Sequence, residues 1–216
     1  MQKSLFRAVR WAIGFVSLVG CVLAGQASAP APSRTIIFFG DSLTAGYGLA
    51  DPATEAYPAR IQAKISAAQL DWRVVNAGLS GETTSGGLRR IDWTLRTPCD
   101  VFVLALGAND GLRGISPAVA RSNLEQIILR VRTKNPAAKI VIAGLQMPPE
   151  LGPDFAREFS EVFPAVAKKT GATLIPFLLE GVGGSAELNQ DDRIHPNPAG
   201  HAAVAETVWK ILRPLL

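Results

Sequence analysis

Five short apolar runs recur along this chain without the polar alternation of a half-exposed strand. They cover residues 35–39, 73–75, 101–106, 139–144 and 173–175, and are rich in Val, Ile, Leu and Phe. Strands of that kind are buried on both faces, which is the signature of a parallel sheet covered by helices. Amphipathic helical stretches fall between them, at about 57–69, 85–95, 117–133 and 154–169, and a last one at 199–212 closes the chain. Repeated strand–helix–strand units imply right-handed crossovers. The expected fold is therefore α/β, a three-layer α/β/α sandwich on a five-stranded parallel sheet. Ser116 before Pro117 reads as a helix cap with proline at the first helical position. Arg132, Lys134 and Lys139 place positive charge at the far end of that helix, where the dipole favours it. No internal repeat, low-complexity tract or second domain is visible.

The chain has 216 residues, enough for one domain that buries roughly 70% of its unfolded surface without disulfides or metal. Its formal charge of +4 looks basic, but Lys3, Arg7 and Arg10 lie in an acid-free start. Removing those three from 22 cations leaves 19 Lys and Arg against 18 Asp and Glu, a net of +1. Such a balance offers no footprint for nucleic acid. The basic start precedes an apolar stretch at 11–24 and then Ala27-Ser28-Ala29, the grammar of a secretory signal peptide. The apolar stretch falls short of the ~20 residues needed to span a bilayer. Residues 1–29 are thus expected to be a signal peptide, cleaved near Ala27–Ala29, and 30–216 the mature domain, periplasmic or secreted and without stable membrane insertion. Leu18-Val19-Gly20-Cys21 also resembles a lipobox, which would anchor the protein through a lipid on Cys21, although apolar residues continue past it. Without the signal, Cys99 is the only cysteine, read as a small buried side chain near a strand. No His/Cys cluster has metal-ligand spacing, and no metal or cofactor is expected.

In an open α/β sheet, ligands bind beyond the carboxyl ends of the strands, and the glycine-rich polar segments of this chain fall there. The first strand runs into Gly40-Asp41-Ser42-Leu43-Thr44-Ala45-Gly46. A serine on a tight turn after a buried strand is held rigidly, as a nucleophile requires. Thr44 stands where the second glycine of a nucleophile elbow would be, and the turn alone also fits a phosphate loop or a helix cap. The second strand ends at Asn76-Ala77-Gly78-Leu79-Ser80-Gly81-Glu82, an approach site for a ligand or an ordinary loop. The third ends at Gly107-Ala108-Asn109-Asp110, where Asn109 can donate to an oxyanion or make a local turn bond. The irregular 145–153 stretch either lines the site or is plain surface. Near the end stands Asp191-Asp192-Arg193-Ile194-His195-Pro196. A carboxylate three residues before a histidine can hold one ring nitrogen and leave the other free to take a serine proton. His201, the other histidine, lies within a helical stretch and reads as structural, and Asp191 as a solvated neighbour.

Together these segments resemble the SGNH (GDSL) hydrolase family, and within it the bacterial periplasmic thioesterases, lysophospholipases and arylesterases. The resemblance rests on Gly40-Asp41-Ser42-Leu43, Gly78, Gly107-x-Asn109-Asp110 and Asp192-x-x-His195-Pro196, in that order, and covers the chain from Thr35 onward. It implies a flavodoxin-like sheet, Ser42 as nucleophile, His195 as base and Asp192 as its orienting partner. It further implies an oxyanion hole from the N–H groups of Ser42 and Gly78 and the amide of Asn109. The expected substrate is a small acyl ester, thioester or lipid, and the expected state a monomer. A carbohydrate deacetylase or acyltransferase could use the same residues, and a non-catalytic binding module could keep the fold. Leu79, Leu106, Leu112, Ile115, Met147 and Leu151 suggest an acyl crevice, or ordinary core.

Overall fold

Branched and aromatic side chains suit a pleated surface buried on both sides, and the five apolar runs do form strands. The computed structural model describes residues 34–216. The expected signal peptide at 1–29, its junction with the following domain, and Cys21 lie outside the described residues. The strands are β1 (Arg34–Gly40), β2 (Trp72–Gly78), β3 (Val101–Ala105), β4 (Lys139–Ala143) and β5 (Thr173–Ile175). All pair in parallel, in the order β2-β1-β3-β4-β5. This is the doubly wound, flavodoxin-like order, with its switch point between β1 and β3.

The helices are α1 (Ser42–Ala45), α2 (Pro52–Glu55), α3 (Tyr57–Ala67), α4 (Thr84–Thr94), α5 (Ala108–Leu112), α6 (Pro117–Lys134), α7 (Pro153–Thr170) and α8 (Pro198–Leu212). α6 packs against both α4 and α7, and α3 packs against α8. Phe38, Phe39, Phe102, Phe159 and Phe163 are fully buried in the core, each contributing about 1.5–3 kcal/mol by burial. β2, at one edge, is only half-buried. Its exposed backbone is partly covered by the Gln62 side chain of α3, which accepts from Val74 N at 2.7 Å and donates to Trp72 O at 3.3 Å.

Three sequence expectations change. β2 runs past Val75 to Gly78, because Asn76, Ala77 and Gly78 keep pairing with Phe38, Phe39 and Gly40, although an exposed Asn76 breaks the apolar run. Ser116 occupies the cap position of α6, but its side chain makes no capping bond. Side-chain caps come instead from Asp41 on α1, Asp51 on α2, Thr83 on α4 and Asn197 on α8. Lys139 is not at the end of α6: it begins β4, and its Nζ donates to Leu215 O at 2.5 Å. Arg132 and Lys134 do occupy the last turn of α6. Cys99 is buried, and its thiol is pushed up to about 12 by that burial and then by the Asp100 charge.

His201 is a core residue of α8. Its Nδ1 accepts from Tyr57 N at 3.2 Å, and its ring stacks on that of Tyr57 with centroids 6.3 Å apart. Burial first, then the charges of Arg60 and His195, push its pKa down to about 4 from 6.5. The unfolded chain therefore takes up a proton here that the fold excludes, and this residue's contribution to stability falls as pH drops from about 6.5 to about 4. In urea melts across that range, His201→Asn should lose less stability on acidification than the parent. Parallel losses in the two proteins would refute this.

Candidate active site

Gly40 ends β1 where no side chain fits: a Cβ there would lie 2.0 Å from Thr44 Oγ1 and 2.8 Å from Ala105 O. The chain can therefore turn at once into α1. Asp41 caps that turn, its Oδ1 accepting from Leu43 N at 3.0 Å. Left-handed Gly46 closes it, with its N–H on Ser42 O at 3.0 Å. Thr44 is anchored from the core by Tyr57 Oη at 2.8 Å, and its carbonyl accepts from Asn76 Nδ2 at 2.8 Å. Ser42 thus sits on a short rigid turn. Its own N–H makes no hydrogen bond among the described residues.

The His195 loop is folded by its own carboxylate. Asp192 Oδ1 accepts from the N–H groups of Ile194 and His195, both at 2.9 Å, while its Oδ2 lies 2.6 Å from His195 Nδ1. Burial acts to raise the pKa of Asp192, but the bonds from His195 and Ile194 outweigh it and hold the carboxyl down at about 2. A carboxylate on Nδ1 selects the tautomer protonated there and leaves Nε2 as acceptor. That nitrogen is 2.9 Å from Ser42 Oγ. Three side chains, two of them 153 residues apart, therefore form one hydrogen-bonded chain. Asp191 is exposed beside it.

Asn109 lies in the first turn of α5, which starts from Gly107 at φ +129, a backbone only glycine adopts freely. Its Nδ2 donates one bond, to Glu82 O at 3.0 Å, leaving the second amide N–H available. Glu82 is buried and paired with Arg90, whose Nη2 also donates to Gly40 O at 3.2 Å and Ala77 O at 2.9 Å. Asp110, next to Asn109, accepts from Thr84 N at 2.7 Å and Thr84 Oγ1 at 2.6 Å. Asp41 Oδ2 has no hydrogen-bond partner among the described residues, and burial, with the nearby Asp110 and Glu82 charges, raises Asp41 to about 7 against the bond from Leu43.

Gly78 ends β2 as the sequence places it, but its N–H, expected as an oxyanion donor, is engaged locally. Its N–H donates to Asn76 Oδ1 at 2.9 Å, so it is already spent. Gly78 lines a separate cavity of about 420 Å³ with Ala45, Gln62 and Asn76. What requires glycine there is space: a Cβ would come within 2.3 Å of Ala45 N. Farther along the same loop, Gly81 has φ +78, and its N–H makes no hydrogen bond among the described residues.

Ser42 and His195 open into a cleft of about 460 Å³ walled by Leu112, Met147, Pro148, Phe177 and Leu179. Residues 145–149 belong to this wall, so the front half of the 145–153 stretch lines the site, and Glu150–Leu151 continue as an exposed turn. Of the six apolar candidates, Leu112 and Met147 line the cleft. Leu106 is core, Leu79 and Leu151 are exposed, and Ile115 is half-buried elsewhere. Sequence reasoning missed Arg90, Glu82 and Tyr47. Arg90 carried a signal, standing three residues after Gly87 and one before Ile91 on the buried side of α4. Among the described residues, no group of three or more His, Cys, Asp or Glu is arranged to hold a metal, and no helix is long and apolar enough to cross a membrane.

A family model described as the GDSL-like Lipase/Acylhydrolase family matches residues 38–203. Esterase TesA of Pseudomonas aeruginosa is 38% identical over 200 residues, covering 92% of this chain and 98% of its own. Thioesterase 1/protease 1/lysophospholipase L1 of Escherichia coli is 36% identical over 208 residues, 96% of this chain and 94% of its own. A crystal structure of TesA superposes with a TM-score of 0.80 at 40% identity, covering 85% of this chain and all of that one. The chain belongs to the GDSL-like lipase/acylhydrolase family, the SGNH hydrolases.

Proposed function

We propose that this protein is an exported serine esterase that hydrolyses acyl esters or thioesters through an acyl-enzyme on Ser42. The reading is carried by one observation: Ser42 Oγ lies 2.9 Å from His195 Nε2, the other ring nitrogen is held by Asp192, and the serine faces an apolar cleft. The names of the P. aeruginosa and E. coli relatives, esterase, thioesterase and lysophospholipase, support the same chemistry. The basic, then apolar, then small-residue start of the chain supports export.

In this reading Ser42 Oγ attacks the acyl carbonyl as its proton passes to His195 Nε2, and Asp192 stabilises the imidazolium. The tetrahedral oxyanion is held by the free N–H of Ser42, the second amide N–H of Asn109 and, in place of Gly78, the free N–H of Gly81. His195 returns the proton to the departing alcohol or thiol. Water, activated by the same imidazole, then attacks the acyl carbon, releases the acid and restores Ser42. The cleft walls are mostly side chains of Leu, Met, Phe and Pro, with Gln146 and Arg193 among them, and that apolar majority suits an acyl chain better than a hydroxylated sugar. That favours esterase over carbohydrate deacetylase.

Three variants test these roles on the mature protein. Ser42→Ala should reduce turnover of p-nitrophenyl acetate to background and abolish labelling by a fluorophosphonate; retained turnover in a folded variant would overturn the assignment. Asn109→Ala should lower kcat by roughly 10²–10³-fold with little change in KM, the usual cost of one oxyanion donor. Asp192→Asn should lower kcat by roughly 10²–10⁴-fold, because an amide can hold the wrong imidazole tautomer. An unchanged kcat in either variant would remove that residue from the mechanism.

A further inference from the structure

The bond between Ser42 and His195 joins two loops, and a single hydrogen bond, which on folding replaces bonds to water, is a weak means of setting their separation. A second connection stands beside it. The side-chain amide of Gln190 donates to Tyr47 O at 2.7 Å, on the segment that leaves α1, and to Pro196 O at 3.1 Å, next to His195. The backbone N–H of Gln190 donates to His195 O at 2.8 Å, and its carbonyl accepts from Arg193 N at 2.9 Å, closing the turn that carries Asp192. Both amide hydrogens and both backbone groups of this half-buried residue are therefore engaged, all of them on the two loops that carry Ser42 and His195.

Two further observations bear on the same contact. Gly48 is left-handed at φ +77, and a Cβ there would lie 2.0 Å from Gln190 Oε1, so glycine at 48 keeps open the place the amide occupies. The Tyr47 ring, whose carbonyl Gln190 holds, lies against the His195 imidazole with centroids 4.7 Å apart. Holding the Tyr47 backbone thus also holds a wall of the histidine's position.

We propose that Gln190 is a positioning residue for the reaction, clamping the serine turn to the histidine loop so that Ser42 Oγ and His195 Nε2 stay within proton-transfer distance. This rests on the triad reading above. Gln190 touches neither substrate nor the reacting atoms. Its effect is on geometry, and a displacement near 1 Å between reacting groups can cost on the order of 10²-fold in rate.

The test compares kcat, KM, fluorophosphonate labelling rate and melting temperature for the mature parent, Gln190→Met, Gln190→Glu and Gly48→Ala, with Ser42→Ala as control. Met keeps the length and removes both donors, Glu turns a carboxylate on two carbonyl oxygens, and Ala at 48 pushes the amide aside from the opposite loop. Gln190→Met is expected to lower kcat and the labelling rate together by roughly 10–100-fold, with KM within about twofold and the melting temperature nearly unchanged. Glu and Gly48→Ala should follow in the same direction. Parental kcat in Gln190→Met, or a loss matched by a fall in the folded fraction, overturns the clamp. If Ser42→Ala is inactive while Gln190→Met has full turnover, the clamp fails and the triad stands; turnover in Ser42→Ala would instead sink the triad itself.

Discussion

The guanidinium of Arg90 is the interaction on which the site's construction depends. It reaches from α4 to the carbonyl oxygens of Gly40 and Ala77, at the ends of β1 and β2, and pairs with the buried carboxylate of Glu82. Its charge lies 4.0 Å from the centre of the Phe39 ring. Gly40 O also accepts from Leu79 N at 3.0 Å, so the guanidinium adds a second bond where the ladder ends, and an arginine can serve two carbonyl acceptors and a carboxylate at once. Removing one partner from a buried pair of this kind typically costs about 3–5 kcal/mol, because a charge is left without compensation. The consequence extends to the chemistry. Gly40 leads into the Ser42 turn, and the Glu82 carbonyl holds the Asn109 amide, so one side chain steadies both the nucleophile and an oxyanion donor.

Around that strut the fold places more buried polarity than a core would choose. Asp41 is wholly buried, one of its oxygens has no hydrogen bond among the described residues, and burial first, then the charges of Asp110 and Glu82, raise its pKa to about 7 against the bond from Leu43. Asp110 is also raised by burial, against the bonds from Thr84, and Asn123 donates to Thr84 and Ser85 in turn. A network of this kind fixes side chains that an apolar floor would leave free to move, at the cost of desolvating each member. Close approach by glycine completes it. Gly40 and Gly78, paired across β1 and β2, have no space for a Cβ against α1, which brings the serine turn down onto the sheet.

The histidine loop is built by a different principle. Asp192 organises it locally, bonding two backbone N–H groups and the imidazole within four residues. Asn197 then ties the loop's exit to Glu187 O at 2.7 Å while capping α8. Such a unit is nearly complete in itself and needs only to be attached to the serine turn at the correct distance. Local order and long-range attachment are thus separate tasks for separate residues.

That division explains what could be read before the structure was known. The apolar runs, through their period and composition, determined a parallel α/β sheet, and five strands were visible because burial on both faces leaves a continuous signal in consecutive residues. Asp192 and His195 were legible for the same local reason, three residues apart on a proline-stiffened loop. Ser42 was legible as a candidate, on a turn directly after a buried strand. Gly78 shows where that reading stops: a glycine announces that a side chain is absent, but whether the room serves an oxyanion or the backbone of α1 depends on what packs against it. Arg90 and Gln190 act on backbone carbonyl oxygens of other segments, and Glu82 and Tyr47 offer their own carbonyls to Asn109 and Gln190; such groups are the same in every residue and leave no mark in the sequence. The inventory of chemistry was therefore set along the chain, whereas the distances that make it a site were decided only when the sheet brought its loops to one edge.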